Sequence, residues 1–104
     1  MQNIKTLKLE EIIKILKEHK EEIKQKYHVR EIGLFGSYVR GEEKESSDID
    51  ILIDFVPHAR VSLLDFIELE DYLSELLGVK VDLVDKQALK SRIAKHILSE
   101  VIIL

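Results

Sequence analysis

The chain has no cysteine, no apolar run long enough to span a membrane and no surplus of positive charge. The first absence excludes a disulfide framework and a zinc–thiolate centre. Without an apolar run of ~18 residues, neither a membrane span nor a secretory leader is read from the sequence, and a soluble cytoplasmic protein is expected. Lys and Arg total 16 against 20 Asp and Glu, a net charge of −4, so a surface built to wrap long nucleic acid is not expected. The charge is uneven. Residues 1–30 hold eight Lys or Arg and five Glu, a balance of +3 that leaves −7 for the remainder, so a basic leading helix could touch an acidic partner. Internal repeats and low-complexity segments are also missing. The 104 residues, 45% of them hydrophobic, suffice for one domain over 1–104 with a real core and are too few for two.

What is present is a set of periodic segments. From Leu9 the apolar residues Ile12, Ile13, Leu16, Ile23 and Tyr27 recur at helical spacing among Lys and Glu, which predicts one helix over 7–27. Two short apolar runs follow, one before Gly36-Ser37 and one after Asp48. Ser62 with Asp65 three residues on reads as a capping box, opening a helix that turns Phe66, Leu69, Leu73, Leu76 and Leu77 inward and stops at Gly78. Between the second strand and that helix, Pro57, His58 and Arg60 mark a loop expected near the site. Val79 to Val84 alternates as a third strand, with Lys80 and Asp82 opposite the apolar face. A last helix is expected from about Gln87 to Leu98, with Leu89, Ile93 and Ile97 on one face and Asp85 as N-cap. The apolar Val101-Ile102-Ile103-Leu104 either packs back as an edge strand or meets a partner in a homo- or hetero-oligomer.

The chemistry is concentrated in Gly36-Ser37 and, ten residues later, Asp48-Ile49-Asp50. Strand side chains alternate, so Asp48 and Asp50 share one face while Ile49, Ile51 and Ile53 take the other. Two carboxylates on one face repel each other, and a hard divalent cation with oxygen ligands, Mg²⁺ being the natural candidate, relieves that repulsion. Gly36-Ser37 falls where a strand ends and a short helix begins, so unpaired N–H groups and a hydroxyl can face a phosphate.

This spacing resembles the Gly-Ser-x10-Asp-x-Asp signature of the DNA polymerase β-like nucleotidyltransferase superfamily, in particular its minimal nucleotidyltransferase (MNT) antitoxins, along essentially the whole chain. The resemblance implies an α/β (α+β) fold with a small mixed β-sheet packed against helices. It implies ATP as substrate and two Mg²⁺ ions, with Asp48 and Asp50 binding both. Asp82 would bind the ion near the attacking hydroxyl and could accept its proton. Gly36, Ser37 and the adjacent amides would hold the β- and γ-phosphates, with Arg40 as a charge clamp. It further implies adenylylation of a hydroxyl, a tyrosine in the family's characterised activity, on a HEPN-type toxin that the protein silences. A non-catalytic antitoxin that masks its partner, and transfer to a small-molecule hydroxyl with a helper subunit, are the alternatives.

Other residues have simpler explanations. Asp54 and Asp85 sit at strand ends, where capping or turn roles account for them. His19, His28, His58 and His96 lack metal-ligand spacing. Tyr38 either stacks on a base or packs.

Overall fold

The computed structural model describes residues 7–104. Chain order is α1 (Leu9–Glu18), α2 (Lys20–Tyr27), β1 (Val29–Phe35), α3 (Ser37–Arg40), β2 (Ile49–Phe55), α4 (Leu63–Leu77), β3 (Val81–Asp85), a 3₁₀ turn (Lys86–Ala88), α5 (Ser91–Glu100) and β4 (Ile102–Ile103). The strands form one mixed sheet in the order β3-β2-β1-β4. β1 is antiparallel to both β2 and β4, and β2 is parallel to β3. A parallel pair needs a crossover, and α4 supplies it. Among the described residues no helix is long and apolar enough to cross a membrane.

The leading segment is two helices rather than one. At His19 the backbone leaves helical geometry (φ −106°, ψ 6°), and the ring Nδ1–H donates to the Ile15 carbonyl at 2.9 Å. The His19 amide still donates to the same carbonyl at 3.2 Å, so the ring adds a second donor there at the point where the two helices meet. Helix α4 agrees with its sequence signals. The Asp65 amide donates to Ser62 Oγ at 3.1 Å and the Ser62 amide to Asp65 Oδ2 at 3.0 Å. Gly78 closes the helix in the left-handed conformation (φ +70°).

The core lies between the helices and one sheet face. Ile12, Leu16, Ile23, Ile49, Ile51, Ile53, Leu69 and Leu73 are all fully buried in it. Each such side chain contributes about 1.5–3 kcal/mol relative to exposure. α4 also caps two amides on the outer edge of β3. Ser74 Oγ accepts the Val81 amide and Glu70 Oε2 the Leu83 amide, each at 2.9 Å.

The last helix begins later than its pattern suggests. Asp85 does act as an N-cap, accepting the Gln87 amide at 3.0 Å, but it caps only the 3₁₀ turn. Leu89 and Lys90 are extended, so α5 restarts at Ser91, with Ile97 buried and Ile93 52% exposed. Val101–Leu104 packs back: Ile102 and Ile103 pair with Leu34 and Gly33, and the Leu104 amide donates to Ile32 at 2.9 Å. Gly33 is required there, because a Cβ would stand 2.6 Å from the Val101 side chain.

Candidate active site

Strand alternation places Asp50 on the sheet face opposite the Ile49–Ile51–Ile53 core. Asp50 faces Asp82 directly across the parallel β2–β3 pair, a register that local sequence does not encode. Asp48 lies just before β2, at the end of a turn in which the Lys44 amide donates to Ser47 Oγ at 2.8 Å. Asp48 and Asp50 are half-buried and Asp82 is exposed at the sheet margin.

Burial, then the neighbouring Asp82 and Asp48 charges, lift the Asp50 carboxyl from 3.8 to about 6, with Arg40 opposing. The three sequence-selected acids therefore act on one another. Among the described residues, however, no three of His, Cys, Asp or Glu are drawn together tightly enough to form a finished metal cage. The trio is an open set of hard oxygen donors. Its mutual repulsion is what a divalent cation would cancel, so these residues fit Mg²⁺.

Gly36 meets this cluster from β1. It carries φ +86°, and a Cβ on it would overlap the Asp50 carboxylate. Both the conformation and the close approach call for glycine. The chain then turns through α3, with the Val39 and Arg40 amides donating to the Gly36 carbonyl at 3.1 Å. Ser37 is half-buried at the start of that turn. Tyr38 is 4% exposed and belongs to the core, which removes it as a base-stacking platform.

Sequence reasoning missed Glu100. Its Oε2 accepts the Gly36 amide at 2.8 Å, and both its oxygens accept from Arg40 Nη1 at 3.1 Å. Burial works to raise this carboxyl, but the Gly36 amide and Arg40 outweigh it and hold it below the usual range. One signal was available: Glu100 ends α5, where the helix dipole disfavours negative charge and no basic residue compensates. Glu43 was also missed. Its Oε1 is buried and has no partner among the described residues, and its charge, with that of Asp48, helps to raise the Tyr38 hydroxyl behind burial itself.

One expected neighbour falls outside the cluster, and Asp54, set aside as a capping or turn residue, has a different role. The Pro57–Arg60 loop follows the far end of β2, about 17 Å from Asp50 at the strand rise per residue. It lines separate cavities there, one of about 290 Å³ with Lys26, His28, Phe55 and Arg60 on its wall. Asp54 is 4% exposed, bonded to Arg30 at 2.6 Å and to Gln87 at 3.1 Å. It is a structural ion pair beside a shift of β1–β2 register at Arg30.

Over residues 16–104 the chain matches the family model of the nucleotidyltransferase domain. The protein adenylyltransferase MntA of Thermococcus cleftensis is 61% identical over 98 residues, covering 92% of this chain and 95% of that protein. A solved structure described as a candidate minimal nucleotidyltransferase has a TM-score of 0.78 at 33% identity, over 97% of this chain and 100% of that one. A toxin–antitoxin crystal structure with AMP-PNP contains a chain with a TM-score of 0.65 at 27% identity, over 88% of this chain and 68% of that one.

Proposed function

The chain belongs to the nucleotidyltransferase domain family and, within it, to the minimal protein adenylyltransferases, and from that premise we propose that it transfers AMP from ATP to a hydroxyl of a partner protein. The partner is a HEPN-type toxin, the acceptor a tyrosine, and the modification silences the toxin. The observation that carries this reading is the pairing of Asp50 with Asp82 across β2–β3, with Gly36 pressed against Asp50.

In this reading Gly36 N–H, the Ser37 hydroxyl and Arg40 hold the β- and γ-phosphates by charge-assisted hydrogen bonds. The acceptor oxygen bonds to the α-phosphorus, the bond to the β-phosphate oxygen breaks and pyrophosphate leaves. Asp82, the most open of the three acids, takes the proton from the acceptor. Asp48, Asp50 and Asp82 would hold the Mg²⁺ ions, which when bound neutralise the charge that grows on the attacking and leaving oxygens.

Incubation with α-labelled ATP, Mg²⁺ and a co-purified partner tests the proposal. Label on the partner protein is expected, and label on a small molecule or RNA instead would reject it. The double variant D48N/D50N separates catalysis from masking. Protection of cells from the partner should disappear, and its survival would favour a docking antitoxin.

A further inference from the structure

We propose that Glu100 is a built-in occupant of the phosphate-binding turn, so that nucleotide enters by exchanging with this side chain. The inference rests on the reading of Gly36–Arg40 as the phosphate cradle. A backbone N–H beside a guanidinium is a donor set for an anion with two or more oxygens. In this structure it is filled by the chain's own carboxylate, with the Gly36 amide on Oε2 and Arg40 reaching both oxygens. The Glu100 side chain is 16% exposed and Arg40 41%, so Glu100 is withdrawn from solvent to a degree that Arg40 is not. A triphosphate cannot use the same amide and the same guanidinium face while the carboxylate remains on them.

The mounting of Glu100 suits an exchangeable occupant. It sits at the C-terminal end of α5, where its charge is opposed by the helix dipole. α5 has only Ile97 buried. Beyond it, β4 is short: it pairs with β1 at two positions, and Leu104 adds one bond to Ile32 and one from Lys20. Acidic groups crowd the other side, since Asp50 lies against Gly36 and Glu42 Oε1 also accepts from Arg40 at 3.0 Å. Once Glu100 leaves, its negative charge moves away from the entering phosphates and Arg40 is free to turn to them. A purely supporting Glu100, which orients Arg40 and stays in place with nucleotide bound, makes the opposite forecast for its removal.

The test is calorimetric titration of AMP-PNP with Mg²⁺ into the wild-type chain and into Glu100→Gln. The amide keeps the shape and can still accept from Gly36, but it loses the charge that binds Arg40. Binding about tenfold tighter in the variant is expected, the scale of one charge-assisted bond released from competition. Hydrogen exchange supplies a second readout: nucleotide should speed exchange over residues 101–104 in the wild type while the Gly36 amide, passing from one acceptor to another, stays protected. Glu100→Asp, too short to span the same bonds, should behave like Gln and covers the case in which the amide variant folds poorly. Wild-type binding with equal or weaker binding by the variants would overturn the occupant role and leave the nucleotide site standing. Absence of AMP-PNP binding by every form would overturn the cradle reading and this inference together.

Discussion

Replacing Asp50 by Asn should make the metal-free protein more stable while abolishing AMP transfer. The Asp50 carboxyl is lifted from 3.8 to about 6 by burial and by its acidic neighbours, so the folded state resists ionising it. At about 1.4 kcal/mol per pH unit the gap of about two units sets a ceiling near 3 kcal/mol. Asp50 is only half-buried, and solvent screening reduces this to about 1–2 kcal/mol. The sign follows from linkage: a group whose pKa rises on folding leaves stability intact below 3.8 and erodes it as pH climbs through about 6. The variant cannot ionise and escapes that erosion. For a domain of this size 1 kcal/mol moves Tm by about 4–8 °C. Thermal unfolding in EDTA at pH 4 and pH 8 is the assay. Relative to wild type, Asp50→Asn should gain about 4–16 °C more at pH 8 than at pH 4. Mg²⁺ with ATP should raise the wild-type Tm and leave that of the variant unmoved. An equal difference at both pH values would refute the claim that packed carboxylates strain this site.

Gly36→Ala meets both a positive φ and the Asp50 carboxylate, so a loss of about 1–3 kcal/mol in denaturant unfolding should accompany lost calorimetric binding of AMP-PNP. Folding holds the Asp54 carboxyl below its ordinary value, because Arg30 and Gln87 outweigh the opposing effect of burial. Its stabilisation is therefore present above 3.8 and is lost as pH falls through the lower folded value, so Asp54→Asn should flatten the acid limb of the stability–pH curve, and an unchanged limb would count against the pair. Leu73→Ala empties a fully buried core position and should cost about 2–5 kcal/mol in urea unfolding, whereas Leu63→Ala, at 75% exposure, should stay within about 0.5 kcal/mol.

Local rules made several elements legible. The Ser62–Asp65 box, the Gly78 stop and the alternation through Ile49, Ile51 and Ile53 each depend on residues within a few positions, and each is present in the fold. The three acids were also selected from sequence, but their arrangement is long-range. Nothing near Asp50 specifies that Asp82 will lie opposite it, since the pairing is set by where α4 returns the chain. The bond from Gly36 to Glu100 spans 64 positions and lies equally beyond periodicity. At His19 the backbone leaves helical geometry although the apolar spacing runs on unbroken. The Pro57–Arg60 loop was misplaced for a geometric reason: it is near Asp50 in sequence but extended strand separates them.

The hydroxyl and carboxylate that α4 lends to the Val81 and Leu83 amides occupy two donors on the margin of β3 that the strand of another molecule would need. A strand arriving at that margin finds those donors already taken, while at the opposite margin β4 is only two residues long. Edge-to-edge stacking is thereby disfavoured at one margin by occupied donors and at the other by shortness, even though Ile103 there is 48% exposed.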